Sequence, residues 1–211
     1  MINASLRKKL YLDLLSLLYH AHVGHIGSCL SCVDLLAVTI IEEMDLKQDR
    51  LILSKGHAAA TLYTILHHLG KISDEDFHNF HQNGSKLGIH PSSAYPELIP
   101  LSTGSLGHGL SFSAGIALIA QREKSKRKVF CITSDGDCNV GQTWEAAAFA
   151  SQHQLNNLIV LIDRNQMQAF GKTKEVLGAM TSKEKWQAFG FETISCNGHN
   201  LIALRDAFSK V

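Results

Sequence analysis

The chain has 211 residues, 45% of them hydrophobic, which is enough for a sizeable buried core, and it carries 20 Lys and Arg against 19 Asp and Glu. A net charge of +1 and a pI near 7.7 offer no basic field for a phosphate backbone. The densest basic stretch, REKSKRK from Arg122 to Lys128, reads as a solvated turn, so nucleic acid is excluded as a partner. With no apolar run of about 18 residues and an amphipathic start (Asn3, Arg7, Lys8, Lys9), the sequence gives no membrane span or leader, and the expected location is cytoplasmic.

Leu6, Leu10, Leu14, Leu17 and Leu18 recur at helical spacing over 6–18, and the pattern breaks at AHVGHIG, whose glycines suit a loop. Ser31 to Ile41 reads as a second helix, Leu51 to Ser54 as a short buried strand and Gly56 to Leu69 as a third helix. Ser73, followed by Glu75 and Asp76, marks a further helix start. Asn83 to Ser105 lacks periodicity and holds all three prolines, so it is an irregular excursion; helical spacing resumes from Leu106 to Gln121.

Beyond it the chain alternates: strand 128–133, helix 142–153, strand 158–163, a loop, helix 182–189, strand 191–195 and helix 200–209. Apolar runs alternating with amphipathic helices predict an α/β fold, a mostly parallel sheet with helices on both faces joined by right-handed crossovers. The length fits one domain over 1–211.

Strand 128–133 runs into Asp135-Gly136-Asp137, and the next ends in Asp163-Arg164-Asn165. Parallel neighbours would bring Asp135 and Asn165 to one sheet edge, where such folds collect ligands. A carboxylate, an amide oxygen and a nearby carbonyl such as that of Met167 are hard donors suited to Mg²⁺ or Ca²⁺. Gly136 would let a phosphate approach the main chain, with the start of the following helix facing it. Taken singly, each half also fits a common turn or helix cap.

Five cysteines, an odd number, predict reduced thiols; the Cys29-x-x-Cys32 pair lacks a second pair for a metal site. HAHVGH similarly lacks partners at zinc spacing.

The segment SDGDCNVGQTWEAAAFASQHQLNNLIVLIDRNQMQAFG resembles the thiamine-diphosphate motif of transketolases. GHIGSCLSCVDLLA, LILSKGHAAATLY, GIHP and STGSLGHGLSFSAG resemble further motifs of that family in the same order, covering about Leu10 to Leu204. The resemblance implies a thiamine-diphosphate-binding fold, with thiamine diphosphate and Mg²⁺ (or Ca²⁺) as cofactors. It implies metal ligands at Asp135, Asn165 and the Met167 carbonyl, and cofactor contacts from His57, Gly104, Leu106, Gly136, Asp137 and Asn165. His25, His57 and His90 match catalytic histidines of the sugar-handling branch; an imidazole can relay protons at neutral pH.

The match is to the family's amino-terminal third. It implies one component of a split transketolase, a transferase of two-carbon ketol units between sugars or sugar phosphates that works with a separate carboxyl-terminal subunit, expected as α₂β₂. The alternatives are a degenerate cofactor- or partner-binding protein and a component of another thiamine-dependent lyase. Three departures stand out: Ser134 replaces the first Gly of the family's Gly-Asp-Gly, Val140 replaces a Glu at the contact between paired cofactor sites, and the family's final strand after the helix at 200–210 is expected to be missing.

Overall fold

The computed structural model describes residues 1–178 and 181–211. In chain order the elements are α1 (Ala4–Ala21), α2 (Ile26–Ser31), α3 (Val33–Val38), β1 (Arg50–Leu53), α4 (Ala59–His68), α5 (Asp74–His78), α6 (His108–Arg122), β2 (Val129–Ser134), α7 (Gly141–Gln152), β3 (Leu158–Asp163), β4 (Met167–Gln168), β5 (Gly171–Lys172), α8 (Thr173–Val176), α9 (Lys183–Ala188) and α10 (Leu201–Phe208). Among the described residues no helix is long and apolar enough to cross a membrane. They fall into two compact units: Met1–Asp45, Gly56–Ser102 and Cys196–Val211 in one, Leu46–Lys55 and Thr103–Ser195 in the other.

The first unit is helical. Leu10, Leu14, Leu17 and Leu18 on α1, and Leu62, Tyr63, Ile65 and Leu66 on α4, supply its buried stripes, the spacing that the leucine pattern predicts. Two Arg–carboxylate forks brace it. Arg7 donates through Nε and Nη2 to the two oxygens of buried Asp34, both at 2.7 Å, and Arg205 on α10 does the same to Glu42, also at 2.7 Å. Asn3 and Ser73 cap α1 and α5 through their side-chain oxygens.

The second unit is built on a parallel sheet in the order β1-β2-β3, with Ile52 opposite Cys131 and Cys131 opposite Val160. Every residue of β2 is buried, as expected of a continuous apolar run covered on both faces. Ala114 and Ala117 on α6 and Ala146, Ala147 and Ala150 on α7 enter one core with Leu110, Val129, Leu158 and Trp186. Small side chains let the two helices lie close over the sheet.

Three expectations are corrected. Residues 191–195 form no strand: the Phe191 N–H turns back to the Trp186 carbonyl (3.1 Å), and the Phe191 ring packs edge-on against Trp186, so this stretch closes α9 instead of pairing. The loop predicted at AHVGHIG is shorter than its glycines suggest, because α2 begins at Ile26 with His25 as its left-handed cap (φ 67°). Lastly, the loop after β3 contains the small β4–β5 hairpin.

Candidate active site

In the second unit, the β2–β3 ladder ends with Ser134 opposite Asp163. Asp135 and Asn165 therefore both leave the sheet at its carboxyl edge. Their loops are tied directly, since the backbone N–H of Gln166, between Asn165 and Met167, donates to Asp135 Oδ2 at 2.7 Å. Asn165 Oδ1 accepts the Met167 N–H at 2.9 Å, an Asx turn that folds the chain into β4. Met167, whose carbonyl is the expected third donor, is the first residue of that strand.

Asp135 is 1% exposed, yet among the described residues none donates to its second oxygen, Oδ1, in hydrogen-bond geometry. Such an atom is costly unless something fills the gap. Burial pushes the Asp135 carboxyl above its usual range and the nearby Asp163 charge adds to it, while the Gln166 N–H and the Thr181 and Thr173 hydroxyls oppose this. An enclosed carboxylate oxygen and an amide oxygen on the loop tied to it are the donor chemistry of a hard divalent cation, so the residue types fit the metal. Among the described residues no three His, Cys, Asp or Glu side chains cluster as a metal site.

Gly136 has helical backbone angles (φ −67°, ψ −39°), so conformation does not demand glycine there. A Cβ there would meet Leu106 Cδ1 at 2.7 Å, so a side chain at this position would push aside the end of that leucine. Leu106 and Gly104 belong to the loop before α6, which Thr103 anchors by donating to the Leu53 carbonyl at 2.7 Å. Gly107 ends that loop with φ 83°, and a Cβ on it would lie 2.5 Å from Val140 Cγ1. The valine at the departing position thus packs against the glycine loop.

The side chain of Asp137, a residue that the resemblance implies for cofactor contact, is occupied within the protein. It is 0% exposed and turned inward, and both its oxygens accept from protein donors: Ser54 Oγ (2.6 Å) and the Gly107 N–H (2.8 Å) on Oδ1, and the Ser134 N–H (2.9 Å) and Oγ (2.8 Å) on Oδ2. No lone pair is left for a ligand.

Two features escaped the sequence reading. Lys55 and Asp163, both buried, form an ion pair between the ends of β1 and β3. Asn139 Nδ2 donates to Gln168 Oε1 at 3.1 Å, linking the turn after β2 to the hairpin. The signal for the first was a lysine directly after an apolar strand, which composition alone would assign to solvent.

In the first unit, His25, His57 and His90 come together from three segments. The His25 ring lies 5.7 Å from His57 and 5.5 Å from His90, centroid to centroid. The Tyr63 hydroxyl, deep in the helical core, donates to the His90 carbonyl at 3.2 Å, and Cys29 Sγ donates to the His57 carbonyl at 3.6 Å. Burial first, and then the charge of His90, hold the His25 imidazole below its ordinary pKa, favouring the neutral ring. All five cysteines are free thiols. Burial and the Asp137 charge push Cys131 and Cys138 up to about 12, which keeps them protonated and inert.

Comparison with known proteins adds an independent finding. The family described as "Transketolase, thiamine diphosphate binding domain" matches residues 10–211. One subunit of the apulose-4-phosphate transketolase of Phocaeicola vulgatus is 36% identical over 206 residues, 94% of this chain and 73% of that protein. The 6-deoxy-6-sulfo-D-fructose transketolase subunit SqwG of a Clostridium species is also 36% identical, over 84% of this chain and 68% of its own. The crystal structure of transketolase from Campylobacter jejuni superposes with a TM-score of 0.89 at 29% identity, covering 99% of this chain. The chain spans about three quarters of the first of these subunits but only 36% of the Campylobacter enzyme.

Proposed function

Because the chain belongs to the transketolase thiamine-diphosphate-binding family, we propose that it is the amino-terminal subunit of a split transketolase, moving a two-carbon ketol unit between sugars or sugar phosphates. In this reading it holds thiamine diphosphate through Mg²⁺ or Ca²⁺ and acts in the cytoplasm with a separate carboxyl-terminal subunit, two copies of each. Relatives named as single subunits of a transketolase support the division of labour.

The observation that carries the cofactor half is the buried Oδ1 of Asp135, to which no described residue donates in hydrogen-bond geometry, on a loop tied to the Asn165 turn. Asp135, Asn165 and the Met167 carbonyl would hold the cation. Gly136 would admit the diphosphate to the main chain, and Gly104 and Leu106 would line the cofactor. Bound thiamine diphosphate supplies the electron sink that cleavage of a carbon–carbon bond next to a carbonyl requires.

The chain's own chemistry is then proton handling. His25 is kept neutral, so it can accept a proton from a sugar hydroxyl near pH 7, and His57 and His90 stand beside it to take up or return that proton. The test is turnover of a ketose phosphate and an aldose acceptor with thiamine diphosphate and Mg²⁺, with and without the carboxyl-terminal subunit. Turnover by the pair alone is expected; turnover by the lone chain, or none by the pair, contradicts the reading.

A further inference from the structure

Resting on the thiamine-diphosphate reading, we propose that Asp137 is a positioning residue that pre-forms the cofactor loop, and that the hydroxyl of Ser134 is part of the same tie. Four donors meet on its carboxylate, two from distant segments and two from Ser134, three residues before it. Ser54 follows β1, Gly107 ends the loop before α6, and Ser134 closes β2, contributing both its N–H and its Oγ. The Asp137 backbone is pinned in turn, its carbonyl accepting from Thr143 Oγ1 at 2.6 Å.

The arrangement requires a carboxylate. Hydroxyls can rotate to donate or accept, but the two backbone N–H groups only donate, and they sit on opposite oxygens: Gly107 on Oδ1, Ser134 on Oδ2. An asparagine of the same shape accepts on one side and donates on the other, so one buried N–H would face an NH₂ group. The Gly107 tie is made entirely by groups of the chain itself, so in this proposal the loop carrying Gly104 and Leu106 is ordered in advance, which lowers the ordering cost of binding. The extra hydroxyl at Ser134, where the resembling motif has glycine, is absorbed by the same carboxylate.

The experiment is calorimetric titration of thiamine diphosphate at saturating Mg²⁺ into the parent, Asp137→Asn and Ser134→Gly, below the unfolding temperature of each, together with amide hydrogen exchange of the free parent chain. Expected are a Gly107 amide that exchanges as slowly as core amides, about tenfold or more weaker binding by Asp137→Asn, and a smaller loss of about threefold by Ser134→Gly, which removes one donor to the carboxylate but keeps the Ser134 N–H. Fast exchange at Gly107, or Asp137→Asn binding within about twofold of the parent, overturns the proposal. If Asp137→Asn does not fold, the Gly107 exchange rate decides. If the parent takes up no thiamine diphosphate, the functional reading fails, while the exchange rate still decides on the tie.

Discussion

The backbone N–H of Gln166 donates to Asp135 at 2.7 Å, and this bond makes one site of two strand ends. Among the described residues none donates to the other, buried Asp135 oxygen in hydrogen-bond geometry, and a buried carboxylate oxygen left so is costly. Replacing the carboxylate with the similarly shaped amide removes a buried charge. Asp135→Asn is therefore expected to be no less stable than the parent without metal, within about 1 kcal/mol by urea denaturation, while losing all stabilisation by Mg²⁺ with thiamine diphosphate. A large loss of intrinsic stability would show that the orphaned oxygen has an internal role.

Lys55 tests the electrostatics behind that site. Its ammonium is buried against Asp163, the last residue of β3. Lys55→Met removes the cation and leaves a buried carboxylate to be accommodated, so it should cost about 3–5 kcal/mol of unfolding free energy. Lys55→Met combined with Asp163→Leu should recover much of that loss. Chemical denaturation of both variants checks this; an unchanged midpoint for the single variant would contradict it.

Gly136→Ala separates shape from stability. Helical φ and ψ accept alanine at no conformational cost, but the new methyl displaces Leu106 from its place 2.7 Å away. The flexible leucine end can move, so the unfolding free energy should change by about 1 kcal/mol or less. Affinity for thiamine diphosphate should fall by about fivefold or more, since the displaced side chain belongs to the proposed cofactor loop. Calorimetry beside denaturation reads both quantities; equal affinity would remove Leu106 from the site.

The histidine cluster makes a pH prediction. His25 has its pKa lowered in the folded state, by burial before the His90 charge, so the folded chain binds that proton less tightly than the unfolded one. Its effect on stability is absent above the unfolded value near 6.5 and becomes destabilising as pH falls below it. The pH dependence of stability should therefore be shallower in His25→Asn, whose side chain tolerates the left-handed backbone. By NMR, His90→Gln should raise the His25 titration only partway to the ordinary value, because burial is the larger cause. Full recovery would reverse that ranking.

How far the sequence could be read follows the range of the interactions. The alternation of apolar runs and amphipathic helices from Val129 onward places β2, α7 and β3, because one buried face or run per element decides each of them. The meeting of Asp135 with the Asn165 loop follows from parallel pairing alone. Residues 191–195 misled because an apolar, β-branched stretch specifies a strand only where a neighbour offers a ladder, and here Trp186 claims Phe191 instead. The side-chain role of Asp137 lies beyond local pattern too, because its donors at Ser54 and Gly107 lie 83 and 30 residues away. No local pattern reveals those partners.

The central claim is that the second unit grips thiamine diphosphate through a divalent cation on Asp135. Its most direct test is a titration of thiamine diphosphate into the chain with Mg²⁺, repeated with a chelator in place of metal and again on Asp135→Ala with Mg²⁺. Saturable binding in the first case and none in the other two is the predicted result. Binding of equal strength with chelator, or by Asp135→Ala, would contradict it.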